Sequence, residues 1–196
     1  MADMGNEPDE VQQIFHLLMC SNELEIEGLI AVTGIYLRPD HKEPYRRKLY
    51  PELFIELING YASVYPNLKL HADGWKKPEE LHKVVASGQP GYGIDATGEG
   101  KASAGSKLII DAVTKADSRP LHIVVNAGAN TLAQALKDYR ANHSAEELKA
   151  FLAKFECSKM AHKITRALGF AMNFPICSGC VAIFKPIATV ALIIKT

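Results

Sequence analysis

The sequence predicts an α/β fold with three layers and a mainly parallel sheet, and three observations lead to that class. Segments with the patterns of strands and of helices alternate along the chain, which is the order that a parallel sheet requires. Residues 121–125 form a short apolar run bounded by turn residues, which is typical of a buried parallel strand. The 196 residues, 47% of them hydrophobic, suffice for a core, so we expect a single domain over residues 1–196.

The first third of the chain predicts a helix, a strand, a loop and a second helix. Apolar residues at helical spacing indicate a helix over residues 8–20. The apolar stretch 24–35 predicts a buried strand that ends near Thr33. Residues 36–48 are polar and contain two prolines, which indicates an exposed loop. Pro51 suits the first position of a helix, and an amphipathic apolar stripe follows it.

Short elements alternate with loops in the next part of the chain. The pattern predicts a short strand over 68–71 and a short helix over 78–85. Residues 88–105 are rich in glycine and predict a long mobile loop before a helix over 107–114. The strand at 121–125 is followed by a tight turn that opens another helix.

Acidic side chains crowd into the first ten residues, directly before the first helical pattern. They are Asp3, Glu7, Asp9 and Glu10, with the amide of Asn6 among them. Like charges at short range repel, and a hard cation that takes oxygen ligands would remove that cost. Acidic residues are also favoured in the first turn of any helix, which explains Glu7, Asp9 and Glu10 without a metal. That explanation accounts less well for Asp3 and Asn6, which precede the helix.

The acidic segment 3–10 and the turn 126–131 share one predicted position. Each lies between a strand and the helix that follows it. In an open α/β sheet, such loops gather at the carboxyl ends of the strands, where ligands bind. This convergence predicts a ligand site at that edge of the sheet.

Charge and hydropathy exclude several classes of partner. Lys plus Arg equals Asp plus Glu at 22 each, so no basic stripe points to nucleic acid. No apolar run approaches the roughly 20 residues that span a bilayer, so we expect no membrane partner. The acidic, polar N-terminus is unlike a signal peptide, and we expect a cytoplasmic location by default. A small nucleoside or carbohydrate remains open as a ligand.

The cysteines leave a weaker alternative open. Cys177 and Cys180 form a C-x-x-C pair, and Cys157 and His162 would complete a four-ligand zinc set on paper. No second C-x-x-C pair supports zinc. Reduced, partly buried thiols are common in intracellular chains and explain the same residues without a metal.

Several separate blocks of the chain, in the right order, resemble the nucleoside-hydrolase-like domain of proteins described as cellulose-binding. The blocks are residues 2–10, 21–33, 66–74, 105–110, 119–121 and 128–136. The resemblance runs from about residue 2 to about residue 155 and leaves 156–196 as a diverged tail. It implies a nucleoside-hydrolase-like fold that is incomplete.

The resemblance also implies a chemistry and a set of site residues. The reaction would be hydrolysis of an N-glycosyl bond by a metal-activated water, with Ca²⁺ as the cofactor. The implied metal ligands are Asp3, Asp9, Glu10 and the backbone carbonyl of Asn130. Asp9 would also take the proton of the water, and Asn6 and Asn126 would face the sugar hydroxyls. Oxygen ligands for a hard cation and a carboxylate for the base suit that chemistry independently.

Three departures from the family pattern support a second function. Ile35 stands where nucleoside hydrolases place an Asn that binds the sugar. No aspartate follows Asp138, although these enzymes supply a later one to the metal. The first strand is cut to two or three residues, which would expose its neighbours' edges. The alternative is therefore a non-catalytic carbohydrate-binding module, or an inactive fragment of such a protein.

Overall fold

A five-stranded sheet lies between two layers of helices in the computed structural model, which describes residues 1–159 and 193–195. The strands are β1 (Glu25–Ala31), β2 (Val85–Ser87), β3 (Leu121–Val125), β4 (Phe155–Lys159) and β5 (Ile193–Lys195). Their order in the sheet is β2-β1-β5-β3-β4. The pairs β1–β2 and β3–β4 are parallel, whereas β5 runs antiparallel to both of its neighbours.

Six α-helices accompany these strands in the described part of the chain. They are α1 (Pro8–Leu18), α2 (Pro51–Leu68), α3 (Pro78–Lys83), α4 (Ala104–Thr114), α5 (Asn130–Asn142) and α6 (Ala145–Ala153). Proline begins α1, α2 and α3, because its fixed φ suits a helix start and its missing N–H is not needed there. The hydroxyl oxygens of Ser103 and Ser144 instead accept backbone N–H groups in the first turns of α4 and α6. None of these helices is long and apolar enough to cross a bilayer.

Alternating side chains of β1 divide the apolar interior into two layers. Leu29 and Ala31 pack on one face of the sheet with residues of α1, α2 and α3. Ile30 and Val32 pack on the other face with residues of α4 and α5. Successive residues of a strand point to opposite faces, so a continuous apolar run here serves two cores. This arrangement is the predicted three-layer α/β fold.

The middle of the sheet is completed by the two ends of the chain. Ala2 forms one parallel bridge with Ala31, in which Ala2 N donates to Ile30 O at 3.0 Å and Val32 N to Ala2 O at 2.9 Å. Further along the same gap, β5 pairs with β1 and β3. The first strand is thus as short as predicted, but β5 provides backbone partners for the edges that we expected to be exposed.

Two local predictions are wrong, one is confirmed, and one concerns residues outside the described part of the chain. The strand predicted over 68–71 is wrong, because α2 continues to Leu68 and a turn follows in which Leu70 is 82% exposed. Val85, predicted as the end of a helix, begins β2. The glycine-rich segment is a loop as predicted, and it is fastened to α5 by the Gly98 N–H, which donates to Gln134 Oε1 at 2.8 Å. His162, Cys177 and Cys180 lie outside the described residues.

Candidate functional site

The carboxyl edge of the sheet collects the ends of three parallel segments. Asp3 follows the bridge residue Ala2, Thr33 follows β1, and Asn126 follows β3. Backbone bonds lock these ends together: Asn126 N donates to Met1 O at 3.1 Å, and Gly128 N donates to Thr33 O at 2.9 Å. The predicted acidic segment and the predicted turn therefore meet at one edge, which is where α/β sheets bind ligands.

Three carboxyl groups lie together beside this edge, and none of them forms an ion pair within the described residues. Asp3 and Glu10 are buried, with 6% and 5% of their surface exposed. The Glu10 carboxyl lies within hydrogen-bonding reach of the Asp3 and Asp9 carboxyls, while its Oε2 atom has no hydrogen bond. Burial is the largest cause that raises the pKa of Glu10 to about 9, followed by its hydrogen bond to Asp3 and by charge repulsion. Burial likewise raises the pKa of Asp3. The cluster accordingly holds protons that isolated carboxylates would release.

Gly34 makes room for the buried Asp3 carboxylate. A Cβ atom added to Gly34 would lie 2.2 Å from Asp3 Oδ2 and 3.0 Å from Asp3 Cγ. Any larger residue at this position would collide with the acid, so the end of β1 is shaped around that side chain.

Two asparagines present oxygens that have no partner. Asn126 Nδ2 donates to Gln13 Oε1 on α1 at 2.8 Å, and Asn130 Nδ2 donates to the Gly91 carbonyl at 2.6 Å. These bonds fix both amides and leave both Oδ1 atoms buried without a hydrogen bond. We expected the backbone carbonyl of Asn130 at an ion, whereas the oxygen left without a partner is on its side chain. Such atoms are costly unless a ligand or water reaches them.

Unpartnered oxygens concentrate on the residues that the sequence singled out. Six side-chain oxygens in the described part of the chain are buried without a hydrogen bond. Four of them belong to Asp9, Glu10, Asn126 and Asn130. The donor set is oxygen alone, which is the chemistry that calcium requires. No three Asp, Glu, His or Cys side chains within the described residues form a preassembled metal centre, so an ion would have to draw the paired carboxylates together.

Asn6 and Ile35 take positions that bear on the two predicted functions. Asn6 Nδ2 donates to Asp3 Oδ2 at 3.2 Å, and Asn6 Oδ1 accepts from Arg46 Nη1 at 2.8 Å. Asn6 therefore supports Asp3, and a sugar hydroxyl would have to compete with Arg46 for it. Ile35 lies four residues after the end of β1, is 52% exposed and offers no hydrogen bond from its side chain.

Sequence reasoning missed the residues that support this site. Gly34, Gln13 and Arg46 each contact a predicted site residue, yet none was identified from sequence alone. Gly34 had a usable signal, because a glycine directly after a buried strand often marks a close approach. Gln13 and Arg46 had none, since their partners lie 113 and 40 residues away in the chain.

Comparison with known proteins gives one family and one solved structure. The family described as "Cellulose-binding Sde182, nucleoside hydrolase-like domain" matches residues 1–176. A solved structure of a nucleoside hydrolase-related hypothetical protein from Saccharophagus degradans, associated with carbohydrate metabolism, is 36% identical with a TM-score of 0.71. The match covers 81% of this chain but only 36% of that chain. No curated protein matches. The predicted resemblance and fold class are thereby confirmed, and the family match extends beyond the expected limit near residue 155, to residue 176.

Proposed function

Since the chain belongs to the nucleoside hydrolase-like domain family of cellulose-binding Sde182, we propose that it is a calcium-dependent hydrolase of N-glycosyl bonds. The substrate would be a nucleoside or a related small glycoside. The observation that carries the proposal is the set of buried oxygens without partners on Asp9, Glu10, Asn126 and Asn130. Buried polar atoms are nearly always paired, so four unpaired oxygens at one sheet edge support a ligand that supplies the missing contacts.

The residues present fit a calcium ion. Asp3, Asp9, Glu10 and Asn130 would hold it, because all four offer hard oxygen donors. When bound, calcium would lower the pKa of a coordinated water and anchor neighbouring sugar hydroxyls. Burial, and to a smaller extent charge repulsion, raises the pKa values of Asp3 and Glu10, and a cation would favour the charged forms of both acids.

Asp9 is proposed as the base that takes the proton of the attacking water. It lies in the first turn of α1, and its Oδ1 has no hydrogen-bond partner. A carboxylate with a free oxygen can accept a proton from a water within hydrogen-bond reach. The fixed amide of Asn126 would orient a sugar hydroxyl through its free Oδ1.

A non-catalytic carbohydrate-binding module is the second candidate. The family is described as cellulose-binding, and Ile35 is exposed where the hydrolase pattern calls for a sugar-binding amide. The described residues also contain no preassembled metal centre. Such a module would keep the free oxygens of Asn126 and Asn130 as contacts for sugar hydroxyls and would not turn substrate over.

Turnover separates the two candidates. We expect p-nitrophenyl riboside or a common nucleoside to be hydrolysed at saturating calcium, and Asp9→Asn to lower kcat about 100-fold or more by removing the base. Asp111→Asn is the matched control, because Asp111 is exposed on α4. If every substrate stays intact in the wild-type protein with calcium, the hydrolase proposal fails and the binding module becomes the better account.

A further inference from the structure

We propose that the protein has a second ligand site, for a neutral sugar, at the far end of α2. The site is an open cavity of about 480 Å³. Its walls come from the last turn of α2 and from the segment that follows. The residues that line it include Tyr65, Lys69, Asp73, Gly74 and Trp75. This inference goes beyond the proposed hydrolysis and does not depend on it.

The cavity lies at the amino edge of the sheet, away from the carboxylate cluster. Tyr50, just before α2, borders the acidic segment, because a Cβ added to Gly5 would lie 2.8 Å from its ring. The 18 residues of α2 then rise by about 27 Å to the cavity. At that end, Lys76 is held beside the start of β1, where its Nζ lies 2.7 Å from Glu25 Oε1. The two sites therefore occupy opposite edges of the sheet.

Two aromatic rings form a fixed apolar wall. Tyr65 and Trp75 are both half-buried and pack against the core beneath α1 and α2. The Tyr61 hydroxyl donates to the Lys76 carbonyl at 2.7 Å and ties the segment after Trp75 to the helix. The indole Nε1 of Trp75 is buried without a partner, so the surface that this ring offers to the cavity is carbon. Rigid aromatic carbon surfaces bind the C–H faces of apolar or amphipathic rings at low entropic cost.

The polar groups of the cavity are opposite in charge and available. Asp73 and Lys69 are exposed, and neither side chain is hydrogen-bonded or ion-paired to another side chain within the described residues. The Lys69 ammonium lies 5.0 Å from the centre of the Tyr65 ring, at the aromatic wall. The positive φ of Gly74, 87°, forms the turn between Asp73 and Trp75. One donor group and one acceptor group therefore flank the rings.

This combination selects a neutral ligand with many hydroxyl groups. An anion would meet the Asp73 carboxylate and a cation would meet the Lys69 ammonium, so neither is favoured over the other. A hydroxyl group can accept from an ammonium and donate to a carboxylate, and the C–H face of a sugar ring can stack on aromatic carbon. A sugar satisfies all these groups together, whereas a purely apolar ligand would leave both charges unused.

The only tryptophan of the chain, Trp75, lines this cavity and can report on its occupancy. Trp75 fluorescence would be titrated with cellohexaose and with maltohexaose, as β- and α-linked glucose oligomers. We expect a saturable change in emission with at least one of them. Asp73→Ala and Lys69→Ala should each weaken binding about tenfold by removing a charged hydrogen-bond partner. Both residues are exposed, so both variants should stay folded.

Asp9→Asn is the control at the opposite edge. It should lower kcat but leave the fluorescence titration unchanged, so that a failure of the proposed hydrolysis can be told apart from a failure of the second ligand site. The second site is overturned if neither oligosaccharide changes the emission of the folded protein. It is equally overturned if Asp73→Ala and Lys69→Ala both bind as tightly as the wild type.

Discussion

Carboxylates at the amino edge of the sheet are ion-paired, whereas buried carboxylates at its carboxyl edge are not, within the described residues. At the amino edge, Glu25 Oε1 lies 2.7 Å from Lys76 Nζ, and the buried Glu27 is paired with Lys115. At the carboxyl edge, Asp3 and Glu10 are buried to the same degree as Glu27. No ion pair within the described residues includes either of them. Within the described part of the chain, a buried acid is thus ion-paired at one edge, whereas two buried acids at the other edge are not.

This difference between the edges indicates that the amino-edge carboxylates contribute to stability, whereas those at the carboxyl edge are candidates for function. A buried carboxylate costs free energy unless a cation or hydrogen bonds compensate for it. The pairs at the amino edge provide that compensation within the protein. At the carboxyl edge the Asn6 amide donates to Asp3, but the pKa values of Asp3 and Glu10 remain raised, so the compensation there is incomplete. Residues that break the usual rules of burial without compensation are expected at functional sites.

The largest expected effect comes from filling the space beside Asp3. Gly34→Ala places a methyl group 2.2 Å from Asp3 Oδ2, so the acid or the backbone has to move. We expect the free energy of unfolding to fall by about 2–3 kcal/mol. Thermal and urea unfolding would measure the change. Gly60→Ala in α2 is the control, because nothing lies within 4 Å of its added Cβ, and it should not destabilise. Equal stability of the two variants would contradict the close approach.

Breaking the buried pair at the amino edge should also destabilise the protein. Lys115→Ala removes the cation that pairs with Glu27, whose side chain is 7% exposed. Because Lys115 is itself about half exposed, we expect a loss of about 1–2 kcal/mol from the free energy of unfolding. Lys48→Ala breaks the exposed pair with Glu52 and should cost about 0.5 kcal/mol or less. Similar losses for both variants would remove the distinction between buried and exposed pairs.

Replacing the Glu10 carboxyl at the carboxyl edge by an amide should change the stability in the opposite direction. The Glu10 carboxyl keeps its proton up to about pH 9 in the folded protein, whereas an ordinary glutamate loses it near 4.5. The folded state then binds more protons between these values, so stability falls as the pH rises from about 5 to about 9. Glu10→Gln should lessen this decline, to which the raised pKa of Asp3 also contributes, and should raise the free energy of unfolding at pH 8 by about 1 kcal/mol or more.

Denaturant unfolding at several pH values, without calcium, would test this sign. Glu56→Gln is the matched control, since Glu56 is exposed on α2 and should change neither the stability nor its pH dependence. A wild-type protein that becomes more stable between pH 5 and pH 9 would show that Glu10 is not held in a protonated state. A destabilised Glu10→Gln variant would lead to the same conclusion.

Local signals made much of the fold predictable. Prolines at the starts of α1 and α2 and the apolar run of β3 act through their own backbone and neighbours, so the sequence contains them directly. The three residues of β2 are too few for a periodic pattern. The antiparallel strand β5 pairs with both β1 and β3 and fills the gap between them. That gap exists only once the sheet is assembled, so no local sequence pattern predicts β5.

The site was predictable in composition but not in detail. Acidic crowding and the family resemblance both point to Asp3, Asp9 and Glu10, because these residues are close together in the chain. The Asn130 side-chain oxygen is left without a partner because the amide nitrogen donates to the Gly91 carbonyl. This carbonyl belongs to a loop that is distant in the sequence. The burial that raises the pKa of Glu10 likewise depends on long-range packing, and no local pattern reports it.

Calcium binding tests the central claim most directly, namely that the carboxyl edge holds a divalent cation. Isothermal calorimetry at neutral pH would compare the wild-type protein with Asp9→Ala, and with Asp111→Ala as the exposed control. We expect saturable calcium binding by the wild type and by Asp111→Ala, and its loss in Asp9→Ala. No calcium binding by the folded wild-type protein, or equal binding by all three, would contradict the account.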